Sequence, residues 1–148
     1  MKINFYNSLT NKVEEFVPQQ EGKVSMYVCG PTVYNYPHIG NMRPVVIFDT
    51  LRRFLTYVGY DVTYVSNFTD VDDKIIKAAK EKGITEKELS EFFIGEFKKN
   101  TEAIGSMIPS ITPKVTEYIT HIIDYIDNLV KIGAAYVVDG DVYFRVSK

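Results

Sequence analysis

Apolar and polar positions alternate and cluster along this chain in a pattern of strands joined by helices. Residues 3–17, INFYNSLTNKVEEFV, place two short alternating runs around a polar Asn/Ser/Thr turn and predict a hairpin. Residues 24–29 are an apolar run that Gly30-Pro31 stops, as expected of a buried strand. Further on, Ile47, Phe48, Leu51, Phe54, Leu55 and Val58 recur at the spacing of one buried helical face. Arg52 and Arg53 fall on its other side, Pro44 sits in its first turn, and Gly59 ends it. Residues 61–67, DVTYVSN, read as the next strand. Strand, helix, strand predicts a βαβ unit with parallel strands and a right-handed crossover.

The second half continues in helical register. Residues 68–74 lead into a helix ending near Gly83, and Thr85 with Glu88 forms a capping box ahead of another that aligns Leu89, Phe92, Phe93 and Phe97. Gly95 lies inside that second helix at a cost of about 1 kcal/mol relative to Ala. Thr112-Pro113 reads as the N-cap and first-turn proline of a last long helix that Gly133 closes. Asp139-Gly140 between two β-rich runs is a two-residue hairpin signal. Few strands are available to complete a parallel sheet, so residues 1–148 are expected to be the N-terminal piece of something larger.

Composition adds boundaries to this picture. A chain of 148 residues, 45% hydrophobic and 24% charged, fits one soluble globular domain. A net charge of -2 argues against gripping nucleic acid by bulk electrostatics. One cysteine precludes an internal disulfide, the N-terminus lacks a signal-peptide pattern, and no stretch has the length of a membrane span, so the expected location is cytoplasmic. Arg52, Arg53, Lys74, Lys77, Lys80, Lys82, Lys98 and Lys99 are interspersed with acids and read as solvated helix faces.

Candidate chemistry concentrates in residues 24–58. His38 precedes the helix, Gly40 leaves room for a phosphate to approach the backbone, and Asn41 is a good N-cap. Free N–H groups and the helix dipole favour an anion there, and His38 could hydrogen-bond phosphate oxygens. A capped helix with an exposed histidine is the plain alternative. Cys29, at the end of an apolar strand, reads from the residues alone as a small buried hydrophobe. Thr69-x-x-Asp72 has the form of a capping box, and Asp70, Asp72 and Asp73 offset the dipole of the helix that follows. An Mg²⁺ cluster is the rival reading of those acids. His121 reads as a surface residue.

Tyr27-Val28-Cys29-Gly30-Pro31-Thr32-Val33-Tyr34-Asn35-Tyr36, then His38-Ile39-Gly40-Asn41, then Arg43-Pro44 resemble the first signature region of the class I aminoacyl-tRNA synthetases, and more narrowly of the cysteinyl-tRNA synthetases. Ser66-Asn67-Phe68-Thr69-Asp70-Val71-Asp72-Asp73-Lys74 resembles the second block of the same family. Asn41 stands where the class signature usually has a second histidine, a replacement familiar among the cysteine-specific members.

The resemblance implies an α/β fold: the first half of a Rossmann-like nucleotide-binding domain with a parallel sheet in residues 1–132, and the start of the connective insertion in 133–148. It implies activation of L-cysteine by ATP and transfer to the 3′ end of tRNA(Cys) by the longer enzyme, with residues 1–148 inactive alone. His38 and Asn41 would be catalytic, and His38, Gly40 and Asn41 would receive ATP with its Mg²⁺. Cys29, Gly30, Thr32 and Thr69 would bind the cysteine, with Cys29 one ligand of a zinc whose remaining ligands lie downstream. The rivals are a ligase joining cysteine to an amino sugar, and a non-catalytic nucleotide-binding module.

Overall fold

A computed structural model describes residues 2–147. Strands β1 (Asn4–Asn7) and β2 (Lys12–Glu15) form the expected antiparallel hairpin, with Asn4 opposite Glu15. Strands β3 (Lys23–Tyr27) and β4 (Asp61–Val65) pair in parallel, with Lys23 beside Asp61 and Tyr27 beside Val65. Helix α1 (Ile39–Tyr57) connects them, completing the βαβ unit. Helices α2 (Asp73–Lys82) and α3 (Glu86–Ala103) follow, then α4 (Ile119–Lys131) and a hairpin of β5 (Ala135–Val138) and β6 (Asp141–Phe144). The Asp139-Gly140 turn has both residues at positive φ, as a tight hairpin of this twist requires.

Two apolar clusters hold the elements from β1 to α3. Ile3, Val24 and Leu55 join Phe5, Phe16, Leu51, Val58, Tyr60 and Val62, locking the first hairpin and α1 to the parallel pair. Val33, Phe68, Ile75, Ala79, Leu89, Phe93 and Ile94 form the second, between α2, α3 and the loops that leave β3 and β4. That second core fixes the loop ends where ligands of α/β sheets bind.

Several expectations need correction. Thr112-Pro113 starts no helix. Residues 111–114 run extended beside β4, with Ile111 bridging Val65 and Lys114 bridging Phe68. Pro113 is tolerated there because its carbonyl, accepting from the Phe68 N–H at 2.8 Å, is the group this edge needs. A short 3₁₀ turn, Val115–Glu117, precedes α4. On α1 only part of the apolar stripe is covered: Leu55 is buried, but Ile47 and Phe54 are exposed. Phe92 on α3 is likewise exposed, edge-on to Phe93 and Tyr36.

Arg52 and Arg53 are not free solvated charges. Arg52 donates to the Ile108 carbonyl at 2.9 Å and to Ser110 Oγ at 3.2 Å. Arg53 donates to Asp49 at 2.8 Å and to the Gly105 carbonyl at 3.0 Å. Buried Asp49 also accepts from the Met107 N–H, so α1 clamps the loop 105–110 from three side chains. A periodicity reading places these residues on the polar face correctly and misses that a loop covers that face.

Candidate functional site

The chain leaves β3 and β4 at their carboxyl ends and brings two loops together there. Three backbone bonds stitch them: Val28 N–H to Val65 at 3.0 Å, Thr69 N–H to Pro31 at 3.1 Å, and Val33 N–H to Thr69 at 3.1 Å. Thr32 and Thr69 are therefore bridge partners, side by side beyond the strands. Gly30 lies so close to the second loop that a Cβ built on it would sit 1.6 Å from the Asn67 carbonyl oxygen. The requirement for glycine is one of space. Among the predicted amino-acid-binding residues, Gly30, Thr32 and Thr69 are thus held together by the two loops.

Asn67 is the side chain that joins them. Its Oδ1 accepts from the Gly30 N–H and from the Tyr27 hydroxyl, both at 3.0 Å, and its Nδ2 donates to Thr69 Oγ1 at 3.3 Å. Desolvation, then the neighbouring Cys29 thiol, holds the Tyr27 phenol above its ordinary pKa, so it stays a donor. Sequence reasoning singles out neither Asn67 nor Tyr27 as a site residue. The signal that could have found them is the parallel register, since two residues beyond the Tyr27–Val65 pair Asn67 comes level with Cys29.

Cys29 carries an exposed free thiol, directed no further than the neighbouring Gly30 carbonyl at 3.8 Å. The composition-based reading of a buried hydrophobe is overturned. The residue falls just after β3, where the strand has ended and no layer covers it. Among the described residues no group of three or more His, Cys, Asp or Glu side chains gathers to hold a metal. Tetrahedral zinc takes four ligands. The residues present do not make that site, and no step below runs through it.

The helix end differs from expectation in an instructive way. His38, not Asn41, is the N-cap of α1. Its Nδ1 accepts from the Gly40 N–H at 3.0 Å, and Asn41 returns the bond by accepting from the His38 N–H at 3.0 Å. This is a capping box with imidazole in place of a hydroxyl. A backbone N–H can only donate, so Nδ1 is the acceptor and the ring carries its proton on Nε2. The cap therefore sets the tautomer and leaves an Nε2–H donor free for an anion. Gly40 is tight against this arrangement, since a Cβ there would meet His38 Cε1 at 2.8 Å.

Two cavities of about 110 Å³ each flank the loop. Cys29, Gly30, Tyr64, Phe97 and Met107 line one, and Thr32, Tyr34, His38 and Phe93 the other. Asn41 lines both.

The acidic stretch after β4 is neither a capping box on Thr69 nor a metal cluster. Asp72 is the N-cap of α2, accepting from the Lys74 N–H at 2.8 Å. Buried Asp70 turns away and binds the Thr116 N–H at 3.0 Å and the Thr116 hydroxyl, anchoring the turn before α4. Thr69 is thereby left to the loop contacts. His121 is exposed on α4 beside Tyr118.

Comparison with known proteins places this geometry in context. Residues 15–148 match the family model described as the tRNA synthetases class I (C) catalytic domain. A cysteine–tRNA ligase of Lachnoclostridium phytofermentans is 61% identical over 145 residues, 98% of this chain and 30% of that protein. One from Desulfitobacterium hafniense is 53% identical over 148 residues, covering all of this chain and 31% of its own length. The chain thus spans about a third of these relatives. Among solved structures, the LeuRS of Agrobacterium radiobacter, in a ternary complex with tRNA and LeuAMS, superposes with a TM-score of 0.66 at 22% identity. That match covers 81% of this chain and 16% of the other, a likeness of fold.

Proposed function

The chain belongs to the cysteine-type class I tRNA synthetases, and from that premise we propose that it forms the first part of the catalytic domain of an enzyme that activates L-cysteine with ATP and transfers it to tRNA(Cys). One observation carries the proposal: the loop between β3 and α1 sets an anion-ready helix start beside the Gly30, Thr32 and Thr69 cluster. In the first step a carboxylate oxygen of cysteine attacks the α-phosphorus of ATP and pyrophosphate leaves. In the second, a hydroxyl of the 3′-terminal adenosine attacks the acyl carbon and AMP leaves. No bond to the protein forms in either step, so its contribution is positioning and charge stabilisation.

The roles follow from the free groups. His38 donates Nε2–H to phosphate oxygens as negative charge builds, held in that tautomer by the Gly40 N–H. Gly40 admits the nucleotide to the backbone, where the positive end of the α1 dipole favours an anion. Asn41, bound to the His38 N–H, fixes the histidine and borders both cavities. Gly30, Thr32 and Thr69 receive the amino acid. A zinc at Cys29 would need its other ligands from outside residues 1–148, where its soft-ligand preference would favour the thiolate of cysteine over a hydroxyl, and Mg²⁺ would arrive with ATP. Residues 133–148 begin the connective insertion. No helix among the described residues is long and apolar enough to cross a membrane.

The test is cysteine-dependent exchange of pyrophosphate into ATP by the full-length protein. Exchange with cysteine and none with serine is expected. Full-length protein that binds ATP but gives no exchange contradicts the reading. Residues 1–148 alone are expected to give none, because the family's second signature loop, needed for the phosphates, is expected outside them.

A further inference from the structure

We propose that Asn67 is a positioning residue for the amino-acid half of this site: it fixes the hydrogen-bonding polarity of the Thr69 hydroxyl and couples it to the Gly30 backbone. The inference deepens the reading above and rests on it.

The polarity argument starts from a group with no choice. The Gly30 N–H can only donate, so the Asn67 atom 3.0 Å from it is the carbonyl oxygen Oδ1, and the amide orientation is settled. The Tyr27 hydroxyl donates to the same oxygen at 3.0 Å, which fills both of its lone pairs. Nδ2 is then forced toward Thr69 Oγ1, 3.3 Å away, and can only donate to it. One lone pair of Oγ1 is taken. The hydroxyl proton cannot point back at Asn67 and is presented, with the remaining lone pair, to whatever occupies the space beyond the strands. A threonine free to rotate would lose that orientation to rotamer entropy at each binding event.

The same side chain also spans the two loops. Gly30 and Asn67 approach so closely that no side chain fits on Gly30. Residues 30 and 69 thus lie on the loops that follow two neighbouring strands, and the Asn67 amide adds a side-chain link to the backbone bonds between those loops. Asn67 itself is half-buried, and its amide is engaged by Tyr27, Gly30 and Thr69, so it acts through Thr69 and Gly30.

The experiment is a double-mutant cycle in the full-length protein, read as the KM for cysteine, the KM for ATP and kcat in pyrophosphate exchange. Asn67→Asp keeps both acceptor contacts of Oδ1 but turns a donor to Thr69 into an acceptor, which draws the hydroxyl proton back from the ligand space. Thr69→Val removes the hydroxyl at nearly constant shape. Each single variant is expected to raise the cysteine KM about 5- to 20-fold, as loss of one oriented hydrogen bond does. The ATP KM changes less than about twofold. The double variant should be no worse than the worse single one, because the Asn67 effect passes through the hydroxyl already removed. Should Asn67→Asp not fold, Tyr27→Phe replaces it in the cycle, loosening Asn67 by one exposed contact and raising the cysteine KM by a smaller factor. Effects that multiply in the double variant, or that fall equally on both substrates, overturn the inference and leave the proposed function standing. Absence of exchange in the wild type removes both.

Discussion

Replacing Gly30 by alanine tests the close approach at the centre of the site. The added Cβ would lie 1.6 Å from the Asn67 carbonyl oxygen, 2.8 Å from its carbon and 3.1 Å from Ser66 Oγ. Two of these are backbone atoms, so no rotamer change relieves the contact. Reaching an ordinary separation requires the loops to part by roughly 2 Å, and overpacking of this kind costs about 1–3 kcal/mol. The shift also stretches the bond from the Gly30 N–H to Asn67, worth about 1 kcal/mol. A total near 3 kcal/mol lowers the melting temperature of a domain this size by about 10 °C. Gly95→Ala is the matched control, since it adds the same methyl to a helix position with nothing within 4 Å. There the change should stabilise by up to about 1 kcal/mol. Thermal unfolding followed by circular dichroism reads both. If Gly30→Ala melts within about 2 °C of wild type, the loops are not packed as described and the steric reasoning is wrong.

Other perturbations separate cap from chemistry and clamp from surface. His38→Asn keeps an N-cap acceptor but has no Nε2–H to offer, so stability should hold within about 0.5 kcal/mol while exchange falls at least about 100-fold; His38→Ala loses the cap as well, costing about 1 kcal/mol more. Comparable exchange by His38→Asn and wild type would remove the histidine from the phosphate site. Asp49→Ala orphans the Met107 N–H and frees Arg53, and should cost about 2 kcal/mol, with amide exchange rising first at residues 105–110. Uniform exchange across the protein would mean that the clamp is not local. Bonds from the Thr85 N–H and hydroxyl hold the Glu88 carboxyl below its ordinary pKa. A lowered folded pKa means stabilisation present above the unfolded value and lost as pH falls through the folded one. The first turn of α3 should therefore fray in acid, an effect that Glu88→Gln, which keeps an acceptor but does not titrate, abolishes and NMR amide exchange can follow.

The βαβ unit is legible in the sequence because its strands and helix each carry a local signature: an apolar run stopped by Gly30-Pro31, a helical stripe ended by Gly59, and a second apolar run. The hairpins are legible for the same reason, through turn residues such as Asp139-Gly140. What escapes is set by tertiary partners. Thr112-Pro113 has the local chemistry of a helix start, but β4 offers unpaired backbone groups and the segment joins them instead. The role of Asp70 depends on Thr116, 46 residues away in sequence, which no window of local pattern contains. His38 capping its own helix is hard to foresee because imidazole is an uncommon cap. Asn67 sits inside a recognisable motif, yet its meaning emerges only once the parallel register sets it against Gly30.

The two half-sites proposed above, amino acid at Gly30 and Thr69 on the loops after β3 and β4, nucleotide at His38 to Asn41, can be tested together. A crystal structure of the full-length protein with a non-hydrolysable cysteinyl-adenylate analogue tests them most directly. The cysteinyl group is expected against Gly30 and Thr69, and the phosphate-mimicking group within hydrogen-bond reach of His38 Nε2. An analogue bound with its nucleotide portion away from the start of α1, or with Thr69 out of contact, would contradict them.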